Sequence, residues 1–147
     1  MYGYMDVDEG HDRAVDCWAL GVFIHELLVG KPPFRAAGGD HMKTYSMIIR
    51  GIDAIVFHPR VPKSAQMLIR KLCRPVPAER LGYLKNGIAD IKNHKWFLGF
   101  DWEALRKRQM RPPLVPKVSG PTDLSNFDKY PKDKQPDDET SGWDIDF

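Results

Sequence analysis

The stretch Asp16-Cys17-Trp18-Ala19-Leu20-Gly21-Val22-Phe23-Ile24-His25-Glu26-Leu27-Leu28-Val29-Gly30-Lys31-Pro32-Pro33-Phe34 decides how this chain folds. It reads as one helix, closed by Gly30 and the Pro32-Pro33 pair, because Gly ends helices in the left-handed conformation and Pro cannot continue them. From Cys17 to Ile24 apolar residues fall on every face instead of along one stripe, so the helix expects partners all round it. A membrane span is the rival reading, but His25 and Glu26 interrupt the run well short of the roughly 20 apolar residues a bilayer core requires. A buried central helix is the expectation, in a chain of only 147 residues that barely supplies its cover.

Outward from this helix, Arg35 to His41 with Gly38-Gly39 reads as a mobile loop. Met42, Tyr45, Ile48 and Ile49 then recur at helical spacing until Gly51, predicting a second, amphipathic helix. Asp53 to Val61 forms an irregular connection ending at Pro62, and Ser64 offers a side-chain oxygen as the cap of a third helix. Its core face is Ala65, Leu68, Ile69, Leu72 and Cys73, with Arg70, Lys71 and Arg74 opposite and Pro75 beyond its end. Asn86-Gly87 is a turn signal, after which Ile88, Ile91, Trp96 and Phe97 suggest a short helix running into an aromatic anchor. A last helix is expected from about Trp102 to Arg108. From Arg111 onward six of the twelve prolines fall in 37 residues with no apolar periodicity, which reads as a tail. Its spaced anchors, Leu114, Val115, Phe127, Tyr130, Trp143, Ile145 and Phe147, predict that it wraps over the folded body.

Composition fits a globular protein: 42% hydrophobic and 29% charged residues, with a net charge of +2. Residues 1–110 carry 17 Lys and Arg against 12 acids, residues 111–147 carry 5 against 8, so a basic body precedes an acidic tail. That excess is too diffuse to argue for nucleic acid. Cys17 and Cys73 each sit in an apolar helical pattern, which favours packed thiols in a reducing compartment over a disulfide. The start of the chain lacks the features of a signal peptide or a lipidation site, so a cytoplasmic protein is expected. Asp6, Asp8 and Asp12 with Gly10 faintly suggest a calcium loop, but the twelfth position is Cys17 and the bidentate Glu is missing. His11, His25, His41, His58 and His94 show no metal-ligand spacing with Cys, so no metal site is expected.

A series of short motifs runs in order along the chain: Gly10-His11-Asp12, Met42-Lys43-Thr44-Tyr45, Arg50-Gly51-Ile52-Asp53, Glu79-Arg80-Leu81-Gly82, Leu84-Lys85-Asn86-Gly87, His94-Lys95-Trp96-Phe97, Pro121-Thr122-Asp123, Ser125-Asn126-Phe127-Asp128 and the ending Gly142-Trp143-Asp144-Ile145-Asp146-Phe147. With Asp-x-Trp-x-x-Gly and Gly-x-Pro-Pro-Phe in the central helix, the series resembles the C-terminal part of an AGC-type serine/threonine kinase, and within that group the cGMP-dependent protein kinases. The resemblance implies a mainly α fold: a partial kinase-like large lobe over residues 11–97 and an extended AGC tail over 98–147, after a divergent segment 1–10.

The family reaction implied is transfer of the γ-phosphoryl of ATP, with Mg2+, to Ser or Thr of protein substrates carrying basic residues upstream, under activation by cGMP. Gly-x-Gly-x-x-Gly, His-Arg-Asp, Asp-Phe-Gly and Ala-Pro-Glu do not occur in these 147 residues. The chain by itself is therefore expected to be inactive and to need no cofactor. By resemblance, Glu26 receives a basic residue of the substrate, its alternative being a structural helix-end carboxylate. Phe127 helps close the adenine pocket, its alternative being hydrophobic pinning of the tail. Asp16 reads either as the helix N-cap or as an anchor for the catalytic loop. Arg80 matches the Arg of a buried ion pair with the Glu of Ala-Pro-Glu, and here needs another acid or water. A non-catalytic module that docks substrates or a partner kinase is the competing reading, since an uncovered central helix presents apolar surface.

Overall fold

The computed structural model describes residues 12–131 together with Gly142 and Ile145. Among them the regular structure is helical: α1 Ala14–Val29, α2 His41–Arg50, α3 Lys63–Leu72, α4 Ile88–Lys92 and α5 Trp102–Arg106, linked by short 3-10 turns. The described residues beyond α5 form turns, bends and segments without regular structure.

The central helix packs on α3, and Gly21 sets how near the two can come. A Cβ at Gly21 would lie 2.5 Å from Cys73 Sγ and 2.9 Å from Leu72 Cβ, distances that only a hydrogen in place of a methyl group allows. At its C-terminus α1 stops at Gly30, whose φ of 82° lies in the left-handed region and whose N–H donates to the Glu26 carbonyl at 2.7 Å. The Pro-Pro segment then folds back, so that Phe34 is buried and stacks on Trp18 with ring centroids 5.6 Å apart.

The third helix carries its predicted core face: Ala65, Leu68, Ile69, Leu72 and Cys73 are all buried. With Cys17, Ile24, Phe34, Ile52, Phe57, Val61, Leu81 and Ile91 they form one hydrophobic cluster. Its cap differs from the expectation. The helix begins at Lys63 behind Pro62, with no side chain accepting from its first turn, and Ser64 sits inside that turn instead of ahead of it. Pro62, with φ of −59° and extended ψ, already gives the chain the turn into the helix, and its carbonyl accepts from Gln66 N–H at 3.0 Å.

Two helices present apolar surface outward. The buried side of α1 is Ala14, Cys17, Gly21, Ile24 and His25 alone, while Val15, Phe23 and Leu27 are 43%, 55% and 69% exposed. The expectation of partners all round α1 is thus met on one side only, within the described residues. In α2 the correction is larger, because no residue is buried and the stripe Met42, Tyr45 and Ile49 is 74%, 57% and 83% exposed. Of α2, Met47 alone packs against the core. The helix is fixed instead by polar ends: Asp40 accepts from Lys43 N–H at 3.0 Å, and Thr44 Oγ1 donates to the Asp40 carbonyl while accepting from Ala36 N–H. The loop ahead of it contains a 3-10 turn, Ala37–Gly39.

The remaining elements are short. Gly87 opens α4, where Ile91 is buried but Ile88 is 63% exposed, and the expected aromatic anchor, Trp96 and Phe97, packs against the core. Phe97, Phe100 and Trp102 meet edge to face, and α5 ends at Arg106, two residues earlier than expected. Over its described residues the tail does not wrap. Leu114, Val115, Phe127, Tyr130 and Ile145 are between 69% and 85% exposed, which overturns the prediction that they find pockets. Trp143 and Phe147 lie outside the described residues. Local bonds shape this segment: Asp123 accepts from Ser119 N–H and Oγ and from Ser125 N–H, which holds its carboxyl well below the usual range.

Candidate functional site

The outward face of α1 is the candidate site. Val15, Ala19, Phe23 and Leu27 follow one another at intervals of four and are all exposed, as helical geometry requires of residues on one face. Asp16 and Glu26 stand on the same face and are exposed as well. Ten residues separate them, about 15 Å along the axis. Among the described residues no Lys or Arg shares this face, so it combines an apolar ridge with two carboxylates. Chemically it suits a segment that has basic and apolar side chains.

Asp16 does not cap the helix. It is the third helical residue, and the carboxylate that accepts from the open end is Asp12, whose Oδ1 lies 2.8 Å from Ala14 N. That bond, with help from the Tyr83 hydroxyl, lowers the Asp12 pKa. Asp12 was visible in the sequence as an Asp just ahead of the helix, a signal for capping as good as Asp16. The calcium-loop residues Asp6, Asp8 and Gly10 lie outside the described residues. Among the described residues no group of three or more His, Cys, Asp or Glu is placed to hold a metal ion. No described helix is long and apolar enough to cross a membrane.

Arg80 finds backbone carbonyls instead of an acid among the described residues. Its Nε donates to Arg74 O at 2.9 Å, one terminal nitrogen to Ala14 O at 2.9 Å and the other to Pro75 O at 3.4 Å. One guanidinium thereby ties the start of α1 to the chain leaving α3. Below it, Leu81 N–H donates to the Lys71 carbonyl at 2.9 Å.

Phe127 is 69% exposed in a turn closed by its own N–H to Leu124 O, and Gly38 and Gly39 form a 3-10 turn between α1 and α2. The described residues therefore do not fit an adenine or phosphate site by themselves, and no step of ATP chemistry is derived from them. Both cysteines are free and buried, as expected. Burial pushes the Cys73 thiol up to about 12 and raises that of Cys17, so neither is an activated nucleophile.

The fold and this face place the chain among helical protein lobes built on one long helix buried along one side, and comparison with known proteins gives the family. The protein kinase domain model matches residues 7–97, and the chain belongs to that family. It is 52% identical over 143 residues to the cGMP-dependent protein kinase egl-4 of Caenorhabditis elegans, covering 96% of this chain and 18% of that one. Against the Drosophila melanogaster cGMP-dependent protein kinase, isozyme 1, it is 55% identical over 142 residues, and against human cGMP-dependent protein kinase 2, 51% over 142, with the same coverage of 96% and 18%. The resemblance carried by the ordered motif series is borne out. The chain spans about a fifth of the length of these relatives, 18% in each case.

Proposed function

We propose that this chain is the later large lobe, residues 11–97, and the AGC tail, residues 98–147, of a cytoplasmic cGMP-dependent serine/threonine kinase, and that its part in the reaction is to receive protein substrate. Identity of about half the residues over 96% of the chain to cGMP-dependent kinases carries this reading. The acidic and apolar face of α1 supports it: Glu26 stands in water beside Phe23, open to a basic side chain upstream of the phosphorylated hydroxyl. In the whole enzyme ATP and Mg2+ supply the phosphoryl group and its charge neutralisation, cGMP activates, and Phe127 reaches the adenine pocket. Asp16 steadies the catalytic loop there. The 147 residues alone transfer no phosphoryl group, because positioning and charge neutralisation need parts this sequence does not contain.

The test has two arms. Incubation of the purified chain with Mg-ATP and an Arg-rich serine peptide should give no phosphate incorporation above a blank. The same peptide, titrated without nucleotide, should bind weakly and lose affinity with Glu26→Gln. Turnover in the first arm, or equal peptide binding by the variant in the second, overturns the proposal.

A second reading is favoured by a specific observation, the exposed stripes of α1 and α2. Contiguous apolar surface of this kind marks an interface, and a non-catalytic module docking substrates or a partner kinase would use it. A soluble one-to-one complex with a kinase or substrate on sedimentation supports this reading, and self-aggregation of the chain without any such complex rejects it.

A further inference from the structure

Behind the C-terminus of α1 lies a groove of about 440 Å³ that the substrate face does not use. Its walls are Val29, Met47, Ile55 and Phe57, and Lys31 and Arg35 stand exposed at its edge. Among the described residues no acidic side chain lines it. The lining is held in place before anything binds. His25, buried beneath, donates from Nδ1 to the Lys31 carbonyl at 2.9 Å, which fixes the edge on which Lys31 sits. Phe57 is pinned between the His25 ring, 5.7 Å away, and the Arg70 guanidinium, 4.9 Å above its face. Pro32, Pro33 and Pro59 stiffen the surrounding backbone.

A mostly apolar concavity of this size, with a few polar groups at one side, is the usual form of a small-molecule site. The sign of its edge selects the ligand. We propose that the groove binds a small amphipathic carboxylate, its apolar body lying on Val29, Met47, Ile55 and Phe57 and its carboxylate meeting Lys31 and Arg35. Met47 suits that role, since an unbranched thioether adapts to the shape of an aliphatic or aromatic body.

Methionine methyl NMR on the full chain tests this with internal controls. Sodium decanoate, kept below its micellar concentration, should shift the Met47 methyl signal along a saturable curve. Met42 and Met67, which are 74% and 49% exposed away from the groove, should not move with it. The double charge reversal Lys31→Glu, Arg35→Glu should weaken binding by about tenfold or more, and uncharged decanol should bind wild type about as poorly. Both substituted side chains are exposed, so far-ultraviolet circular dichroism should be unchanged. A linear, unsaturated shift, equal movement of Met42, or decanol matching decanoate overturns the proposal.

Discussion

Gly21→Ala is the sharpest test of how the core is built. In an exposed helix the change would stabilise by up to about 1 kcal/mol, because Ala restricts the unfolded chain and favours the helix. At this position the new methyl would lie 2.5 Å from Cys73 Sγ and 2.9 Å from Leu72 Cβ, closer than real Cβ contacts come. Leu72 and Cys73 are 0% and 1% exposed, so neither can swing into solvent, and α1 must move off α3. Overpacking of this kind costs about 1–3 kcal/mol, and with neither neighbour free to yield the upper part of that range applies. Set against the gain in propensity, the net loss is about 2 kcal/mol. For a body of this size that is a fall in Tm of about 8–16 °C. Urea denaturation followed by circular dichroism should show the midpoint falling with little change in slope. Adding Cys73→Ala removes the nearer clash and should recover about 1 kcal/mol relative to the sum of the single changes. A Gly21→Ala chain as stable as wild type, or more so, would refute the close approach of α1 and α3.

Arg80→Met keeps the length of the side chain but removes donors to three carbonyls, and should cost about 2 kcal/mol in urea denaturation; a change within error would show that water replaces them freely. His94 is buried, accepts from Trp96 N–H through Nδ1, and has its pKa lowered by burial and then by Lys71. A folded-state value below the unfolded one means that its stabilisation is complete above the ordinary imidazole value of 6.5 and is lost as pH falls below it. Thermal melts between pH 7.5 and 5 should therefore show a drop that His94→Asn reduces, and an identical slope in the variant would rule His94 out. Thiol titration with a disulfide reagent should find neither Cys17 nor Cys73 reactive in the native chain and both in urea, since burial raises both thiols. Rapid native labelling of Cys73 would contradict its place against α1.

Much of the fold was legible because local chemistry decided it. Gly30 with Pro32-Pro33 ends α1, Gly51 ends α2, and the 3.6-residue repeat from Ala65 to Cys73 is the buried face of α3. The family was legible too, since the order of short motifs survives in a linear reading. Glu26 could be singled out as an acid near the end of an apolar helix, and helical spacing puts Asp16, Phe23 and Leu27 on its side, but nothing in the sequence showed that this side is left open to water. Helix ends were read less well. Asp16 and Ser64 are good caps by residue type, yet the chain starts both helices earlier, where Asp12 and Pro62 set the backbone.

What the sequence by itself determined is therefore the set of helices, their stops, the core face of α3 and the kinship with cGMP-dependent kinases. Only the tertiary structure decided which apolar stripes are covered. Periodicity in Met42, Tyr45 and Ile49 states that a helix has an apolar side, but burial depends on whether another element arrives there, and in α2 none of the described ones does. The same holds for the tail, where Phe127 and Tyr130 look like anchors in sequence and stand in water in the structure. Arg80 shows the other half of the lesson: its charge asked for an acid, and three backbone carbonyls, one in the first turn of α1 and two just beyond the end of α3, met it first. Hydrophobicity is a property of residues, whereas burial is a property of neighbours, and neighbours distant in sequence are set by the packing of the whole chain.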